Sequence, residues 1–283
     1  MRGSVPQSPA VTSTGDRYIH GHGDSVLRSH RWRTAENSAG YLLGHLEAGQ
    51  RLLDVGCGPG TLTVDLARRV GPGGEVIGVD LSEAVVAEAA GHAAAEGAAN
   101  VSFRAGDFRA LRDLAGGSFD VVHAHQVLQH LQDPVGALAA MGRLARPGGR
   151  VAARDSDYPS FFWTPSDPRL DRWREIYTAV SARNGVAADA GRWLLRWAVE
   201  AGLGDVAYST STWTFATPAD RAWWGDLWAE RVVASNLAAQ AVEYGIATAA
   251  ELEEVAGGWR AWAATPDGTF VLVHGEIIAT APG

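Results

Sequence analysis

Lysine is absent from this sequence and cysteine nearly so: one cysteine occurs among 283 residues, and the 24 residues counted as lysine or arginine are all arginine. A single thiol excludes an internal disulfide and a zinc site built on cysteines. No apolar run is long enough to span a bilayer, and the start lacks a basic segment followed by an apolar stretch. The net charge of −8 disfavours nucleic acid, whose partners carry clustered cations. We therefore expect a cytoplasmic protein without nucleic-acid or membrane partners, its oligomeric state left open.

Four stretches of the chain differ in composition and predict its organisation. Residues 1–16, rich in serine, proline, threonine and glycine, are expected to form a mobile tail. Residues 17–48 become helical, with Thr34 as a candidate N-cap, and are expected to form an N-terminal helical cap. Residues 49–156 have the pattern of a cofactor-binding core. Residues 157–283 are expected to hold the remainder of the sheet and a tryptophan-rich helical lid over the substrate.

Short apolar runs alternate with amphipathic helical patterns through the core. Its predicted strands begin at Arg51, Glu75, Val101, Phe119 and Arg150. Further strands are predicted over 206–215 and 270–279, with helices over 189–203, 218–244 and 249–263. Strands that alternate with helices favour a parallel sheet covered on both faces. The predicted fold class is α/β, a doubly wound, mostly parallel, Rossmann-like sheet with a helical insertion before its last strand.

The strongest signal is the glycine-rich segment LDVGCGPGT at 53–61, between a predicted strand and a predicted helix. Its glycines permit a sharp bend and let a ligand approach the backbone without a Cβ in the way. A dinucleotide would need G-x-G-x-x-G, but Thr61 stands at the third glycine position. Asp80 ends the next strand, where a carboxylate can accept both hydroxyls of a ribose. The pattern favours S-adenosylmethionine, which has no phosphate to hold, and disfavours a nicotinamide-dependent oxidoreductase.

Five short motifs follow one another along the chain. They are LDVGCGPG at 53–60, VIGVD at 76–80, GDF at 106–108, FD at 119–120 and LARPGG at 144–149. In content and order they resemble the motifs of class I S-adenosylmethionine-dependent methyltransferases of the ubiquinone/menaquinone type. Residues 18–38 are similar to the corresponding segment of fungal gliotoxin thiol methyltransferases. The resemblance implies S-adenosylmethionine as cofactor and a seven-stranded sheet that ends in an antiparallel hairpin.

The resemblance also implies which residues contact the cofactor. Asp80 would hold the ribose, and Asp107 would bond the adenine amino group. By analogy with the gliotoxin enzymes, Tyr18 would close the site and Arg33 would pair with the methionine carboxylate. The full implied set is Arg33, Gly56, Cys57, Gly58, Asp80, Leu81, Asp107, Phe108, His125 and Gln126. For Cys57 space filling is the favoured interpretation, because no neighbouring group is identified that would lower the pKa of its thiol.

The candidate catalytic residues are His125 and His130, near the end of the fourth predicted strand, and Tyr18. Methyl transfer is an in-line displacement, so the protein must align the acceptor, exclude water and, where needed, remove a proton. A neutral imidazole can serve as base for a thiol, phenol or amine, although a capping or positioning role for His130 stays open. His123 is expected to be structural. No carboxylate or cysteine completes a ligand set with these histidines, so no metal site is predicted.

Most of the tryptophans lie beyond residue 155 and bear on the acceptor. Two helical stripes, Trp193 with Trp197 and Trp224 with Trp228, indicate either core packing or an apolar, aromatic pocket over the cofactor. The run HQVL at 125–128 differs from the Asn/Asp-Pro-Pro-aromatic motif of DNA amino-methyltransferases, which disfavours a nucleobase. We expect a small hydrophobic acceptor of secondary metabolism, first a thiol by analogy, then a hydroxyl, carbon or amine. A protein that binds S-adenosylmethionine without methyl transfer is the alternative.

Overall fold

A computed structural model describes residues 24–111, 114 and 116–283 of the chain. The tail expected over 1–16 and the candidate residue Tyr18 lie outside the described residues. The strands are β1 (Arg51–Val55), β2 (Glu75–Asp80), β3 (Val101–Ala105), β4 (Phe119–His125), β5 (Ala145–Ser156), β6 (Phe162–Thr164), β7 (Gly204–Phe215) and β8 (Thr269–Thr280). The α-helices are α1 (Asp24–Arg31), α2 (Ala35–Leu43), α3 (Thr61–Val70), α4 (Glu83–Ala95), α5 (Pro134–Leu144), α6 (Pro168–Arg183), α7 (Ala190–Glu200), α8 (Pro218–Ala234), α9 (Asn236–Glu243) and α10 (Ala249–Ala264). None of these helices is both long and apolar enough to cross a bilayer.

Seven strands form the body of the sheet, in the order β3-β2-β1-β4-β5-β8-β7. The first five strands run parallel, and β8 is antiparallel to its long neighbours β5 and β7. The predicted doubly wound sheet with a final antiparallel hairpin is therefore confirmed, and α8, α9 and α10 form the helical insertion before the last strand. The short strand β6 was not predicted. It pairs with β8 beyond the end of β5.

Two neighbouring residues of β1 show how the sheet separates two cores. Leu52 packs with α2 and α3 on one face, whereas Leu53 packs with α5 and α7 on the other. Successive strand residues point to opposite faces, so burial of both faces requires a continuous apolar run. The carboxyl ends of β1 to β4 then share one edge, at which a doubly wound sheet binds its ligands.

Hydroxyl residues set two of the helix boundaries. Thr34 is the N-cap of α2, as predicted, and exchanges reciprocal hydrogen bonds with Asn37. The helix predicted over 218–244 is divided at Ser235, whose extended backbone ends α8 and whose hydroxyl accepts the N–H of Leu237 in α9. Serine and threonine favour such positions because the side chain satisfies a backbone donor that the helix leaves unpaired.

Candidate active site

The turn between β1 and α3 brings backbone rather than side chains to the ligand-binding edge. Gly56, Gly58 and Gly60 have positive φ angles of 69°, 54° and 82°. A Cβ built on Gly56 would lie only 2.4 Å from Cγ2 of Val127, which follows β4. Glycine is therefore required at Gly56 by the backbone conformation and by the close approach of the β4 loop.

Asp80, the last residue of β2, faces the same turn. Its Oδ2 accepts a hydrogen bond of 3.1 Å from the N–H of Gly58, and its Oδ1 accepts one of 3.1 Å from the N–H of Ser82. These bonds fix the carboxylate, and each oxygen keeps a lone pair for a ligand hydroxyl. Gly56 and Asp80 therefore lie on the wall of one cavity, as the binding of a single nucleoside would require.

The main cavity lies at the carboxyl ends of β1 to β4 and measures about 940 Å³ with its opening to solvent. The sequence-predicted residues on its walls are Arg33, Gly56, Gly58, Asp80, Leu81, Asp107, Phe108, His125, Gln126 and His130. Residues that are far apart in the sequence thus meet at one site.

Three predicted cofactor residues differ in their surroundings. Leu81 is 64% exposed at the rim of the main cavity, whereas Phe108 is buried and also belongs to the hydrophobic core. Cys57 lines a narrow recess beside the main cavity. Burial, with the charges of Asp54 and Asp80, raises the pKa of the Cys57 thiol well above its usual value. The thiol is therefore protonated and fills space, because only the thiolate is a nucleophile.

Asp107 follows β3 and is held by Arg109. Nε and Nη2 of Arg109 donate to Oδ1 and Oδ2 of Asp107 at 2.9 and 2.8 Å, and its backbone N–H donates to Oδ1 at 2.9 Å. Partial burial favours the neutral acid, but these bonds outweigh it and lower the pKa of Asp107. The cavity wall therefore carries an ionised, oriented carboxylate at this point.

Gln126, the residue after β4, links the N-terminal helices to the sheet. Its Oε1 accepts a hydrogen bond from Nη2 of Arg33, and its Nε2 lies 2.8 Å from Oγ of Ser156 and 3.0 Å from Nε2 of His274. Its φ of 53° is left-handed, a strained conformation that persists only where the surroundings enforce it. These contacts hold Arg33 at the wall of the main cavity.

His125 is buried at the end of β4, with its ring centroid 5.6 Å from that of Trp213. Neither ring nitrogen has a hydrogen-bond partner among the described residues. Burial, followed by the charges of Arg33 and Arg154, lowers the pKa of His125 well below its usual value. His125 therefore places a neutral imidazole in the wall of the main cavity, with no described hydrogen-bond partner at either nitrogen.

His130 lies in the single 3-10 turn Leu128–His130 that follows Gln126 and Val127. Burial and the charge of Arg33 lower the pKa of His130 to about 3. Its Nε2 lies 3.1 Å from the amide Nε2 of Gln129. In this amide orientation Nε2 of His130 accepts the bond and the proton resides on Nδ1. His130 is therefore neutral at pH 7 and a weak base.

Asp155 in β5 holds that turn in place, although the sequence analysis did not select it. Its buried carboxylate accepts the N–H of Leu128 at 3.3 Å and the N–H of Gln129 at 3.2 Å. Burial raises the pKa of Asp155 to about 7, while both bonds oppose the rise. The sequence signal is an acidic residue inside a buried strand, which alone does not distinguish a structural from a catalytic carboxylate.

His123 has the structural role expected from the sequence. Its Nδ1 lies 2.8 Å from Oδ1 of Asp54, and Oδ2 of Asp54 accepts the hydroxyl of Thr63 at 2.7 Å. On the same sheet face, Nε of Arg154 donates to Oε1 of Glu276 at 3.1 Å. This row of buried, paired groups stabilises the sheet behind His125.

A second cavity, about 430 Å³ with its opening, adjoins the main one. Both cavities are lined by His30, Arg33, Gln126 and His130, so these four residues form the junction between them. The aromatic and apolar walls of the second cavity are Tyr158, Trp213, Trp224, Trp228 and Leu272. Its polar walls are Ser29, Gln129, Ser156 and Arg231.

The two tryptophan stripes lie in different places. Trp224 and Trp228 of α8 line the second cavity. Trp193 instead lies partly exposed on α7, where its Nε1 donates to Asp189 at 2.9 Å, and Trp197 packs on the core beneath that helix. Of the two interpretations, core packing therefore holds for Trp197, and neither Trp193 nor Trp197 is among the residues that line the two cavities, because α7 covers the opposite face of the sheet.

Comparisons with known proteins agree on one family. The methyltransferase-domain family matches residues 46–191. An uncharacterized methyltransferase of Schizosaccharomyces pombe is 34% identical over 270 residues, which cover 92% of this chain and 95% of that protein. The probable methyltransferase ltbC of Aspergillus luteorubrus is 29% identical, with 95% and 99% covered. A solved phosphoethanolamine N-methyltransferase 2 of Haemonchus contortus, in complex with S-adenosyl-L-methionine, has the same fold at 18% identity and a TM-score of 0.55, over 92% of this chain and 58% of that chain.

The residues of the main cavity fit an adenosyl cofactor. The turn at Gly56 leaves no room for a Cβ, Asp80 presents a fixed carboxylate beside it, and His125 has unbonded nitrogens. The family match covers half of the chain, and the match to the Schizosaccharomyces pombe methyltransferase covers nearly all of it. Both matches are to methyltransferases, which excludes the alternative of a nicotinamide-dependent oxidoreductase. The chain belongs to the class I S-adenosylmethionine-dependent methyltransferases, and its cofactor is S-adenosylmethionine.

Proposed function

We propose that the protein methylates a small hydrophobic acceptor bound in the second cavity. The observation that carries this proposal is the junction of the two cavities, which share His30, Arg33, Gln126 and His130. A methyl donor in the main cavity and an acceptor in the second would meet there, between the buried His130 and the half-buried His30, Arg33 and Gln126. Alignment and exclusion of water are the main demands of such a displacement.

The proposal assigns the cofactor to residues at the strand ends. Asp80 accepts the ribose hydroxyls, Asp107 lies beside the adenine amino group, and Arg33 pairs with the methionine carboxylate. The remaining proposed contacts are Gly56, Cys57, Gly58, Leu81, Phe108, His125 and Gln126. When bound, the cofactor supplies a methyl carbon activated by a positively charged sulfur, and the protein's own residues orient the acceptor toward it.

A thiol is the first choice of acceptor, with hydroxyl, carbon and amine acceptors as alternatives. The proposed catalytic residues are His125, His130 and Tyr18. The two histidines are neutral and weakly basic, because the pKa of each is lowered. Thiols ionise near pH 8.5, below phenols and protonated amines at about 10, so they make the smallest demand on a base. Analogy with the gliotoxin enzymes supports the same choice, and a natural product of secondary metabolism is the proposed acceptor type.

We further propose that residues 17–48 act as a cap and residues 157–283 as a lid over the cofactor-binding core. Trp213 of β7 donates through Nε1 to the backbone oxygen of Asn37 in α2, and Arg28 of α1 pairs with Glu230 of α8. These contacts between cap and lid support joint closure of the site.

The test is incubation with methyl-labelled S-adenosylmethionine and panels of dithiols, phenols and amines, followed by product mass. We expect the gain of one methyl group on at least one thiol.

Trp224→Ala enlarges the second cavity and should reduce methyl transfer, while cofactor binding in calorimetry should stay intact. Trp193→Ala, on the opposite face of the sheet, is the matched control. Bound cofactor without transfer to any member would favour the non-methylating alternative, a sensor or an enzyme of another reaction.

A further inference from the structure

Four polar side chains form a line from the interior of the sheet to the main cavity. Nη2 of Arg154 in β5 lies 3.0 Å from Nδ1 of His274 in β8, and Nε2 of His274 lies 3.0 Å from Nε2 of Gln126. At its other end the amide of Gln126 accepts a hydrogen bond from Nη2 of Arg33. The proposed function gives Arg33 and Gln126 contacts with the cofactor, but it gives His274 no role.

The two ends of this line can only donate hydrogen bonds. A guanidinium has five N–H groups and no acceptor, and Arg154 is charged at pH 7, because burial lowers its pKa only to about 10. His274 is neutral, because burial and then the charge of Arg154 lower its pKa well below the usual value. A neutral imidazole has one acceptor nitrogen, and an amide has its acceptor oxygen at one end. The line therefore has three contacts but two acceptors, so one contact must join two donors.

The mismatched contact lies between His274 and Gln126. Arg154 donates to Nδ1, so the ring proton of His274 resides on Nε2, beside the amide nitrogen of Gln126. In the reversed orientation, Oε1 of the amide would accept this proton and also the hydroxyl proton of Ser156, which lies 2.8 Å from that end. The amide nitrogen would then face the guanidinium of Arg33. The amide can therefore satisfy His274 or Arg33, but not both.

The surroundings keep the ring of His274 in this position. The ring is fully buried, and its centroid lies 4.6 Å from that of Trp213. Cζ of Arg154 lies 4.8 Å from the same tryptophan ring, and its Nε donates to Oε1 of Glu276 at 3.1 Å. Arg33 is instead half-buried in the wall of the main cavity. Departure of Arg33 from the amide is thus the simplest relief of the mismatch, and a buried donor without an acceptor is costly.

We propose that His274 is a positioning residue that prepares Arg33 for transfer to the cofactor. The proposal rests on the pairing of Arg33 with the methionine carboxylate in the proposed function. When the carboxylate takes Arg33, the amide of Gln126 reverses, and its Oε1 accepts from Nε2 of His274 and from Ser156. The amide nitrogen then faces the main cavity and donates to the same carboxylate. Cofactor binding thereby removes the contact between two donors, and this relief adds to its affinity.

The test observes the Nε2 proton of His274 by NMR in the full chain with ¹⁵N-labelled histidine. Two probes are added to saturation, as judged by calorimetry: S-adenosylhomocysteine, which has the methionine carboxylate, and methylthioadenosine, which lacks it. S-adenosylhomocysteine should shift the resonance downfield, because the proton gains an acceptor, and methylthioadenosine should not. An equal response to both probes, or no response to either, would overturn the proposal.

His274→Phe keeps an aromatic ring against Trp213 and removes both nitrogens. Loss of its resonance assigns the signal in the wild-type spectrum. Its affinity for S-adenosylhomocysteine should be about fivefold lower, the value of one neutral hydrogen bond, whereas its affinity for methylthioadenosine should equal that of wild type. A merely structural role of His274 would instead change both affinities alike, and that result would contradict the proposal.

Gln126→Glu supplies the missing acceptor, because a carboxylate accepts hydrogen bonds at both ends. This variant should show the downfield resonance without a probe. It should bind S-adenosylhomocysteine about 10–100-fold more weakly, since it retains Arg33 and repels the methionine carboxylate. Gln50→Glu is the matched control, because Gln50 precedes β1 and is not among the residues that line the two cavities. It adds the same charge and should match wild type in both measurements, and thermal unfolding monitors the fold of every variant.

Arg33→Gln separates failure of this proposal from failure of the proposed function. If its affinity for S-adenosylhomocysteine equals that of wild type, the proposed pairing of Arg33 fails and the inference fails with it. If its affinity falls but the resonance of His274 does not distinguish the two probes, the inference alone is overturned. Neither probe donates a methyl group, so these outcomes are independent of the methyl-transfer assay.

Discussion

A single added methyl group tests how the glycine turn builds the site. In Gly56→Ala the new Cβ would lie 2.4 Å from Cγ2 of Val127, whereas carbon atoms pack at about 3.5–4 Å. Val127 must therefore retreat by about 1 Å. The φ of 69° costs a non-glycine residue about 1–2 kcal/mol, and overpacking costs about 1–3 kcal/mol. We expect the free energy of unfolding to fall by the sum of the two terms.

Gly245→Ala separates the two contributions. Gly245 has a similar φ of 67° in the left-handed turn that ends α9, where the N–H of Ile246 donates to the carbonyl of Ala241, but no described atom lies within 4 Å of a Cβ built there. It should lose only the conformational term of about 1–2 kcal/mol. The difference between the free energies of unfolding of the two variants in urea therefore measures the cost of the steric collision with Val127. The double variant Gly56→Ala/Val127→Ala should recover most of it, as contacting residues do in a double-mutant cycle.

Gly56→Ala should also weaken cofactor binding. Val127 directly follows Gln126, which accepts a hydrogen bond from Arg33, so its displacement moves the wall of the main cavity. Calorimetry should show a loss of affinity for S-adenosylmethionine of about tenfold or more, or about 1.4 kcal/mol, in Gly56→Ala and none in Gly245→Ala. Equal stability and equal affinity in the two variants would refute the reasoning.

Two further substitutions test the carboxylate proposed to bind the ribose and the buried carboxylate that holds the turn at His130. Asp80→Asn keeps the shape but removes the charge, so affinity for S-adenosylmethionine should fall by about 10–100-fold, the value of charged hydrogen bonds; unchanged calorimetry would contradict the ribose assignment. Asp155 ionises near 3.9 when unfolded and at about 7 when folded, so the folded state binds more protons between these values. Wild-type stability should therefore fall by up to about 1.4 kcal/mol per pH unit from pH 5 to 7 relative to Asp155→Asn. If the free energies of unfolding of wild type and Asp155→Asn in urea changed with pH in the same way, the raised pKa of Asp155 would be refuted.

The fold and the main cavity were predictable because their signals are local. The turn at Gly56 follows one buried strand and the acid at Asp80 ends the next, and parallel topology alone brings strand ends together. Thr34 was recognisable as an N-cap because capping depends on a residue and its next few neighbours. Such features need no knowledge of distant packing.

The second cavity was less predictable because its walls come from distant segments. The spacing of Trp193 and Trp197 on α7 is the same as that of Trp224 and Trp228, yet only the α8 pair lines the cavity. Helical periodicity identifies a stripe but not what it faces. Arg231 continues the α8 stripe, and only the contact of α8 with α1 shows that it is buried.

The most direct test of the account is a crystal structure with S-adenosylhomocysteine bound. We expect the ribose hydroxyls at Asp80 and the sulfur at the junction bounded by Gln126 and His130, facing the second cavity. A nucleoside bound away from the glycine turn, or a sulfur directed away from that junction, would contradict it.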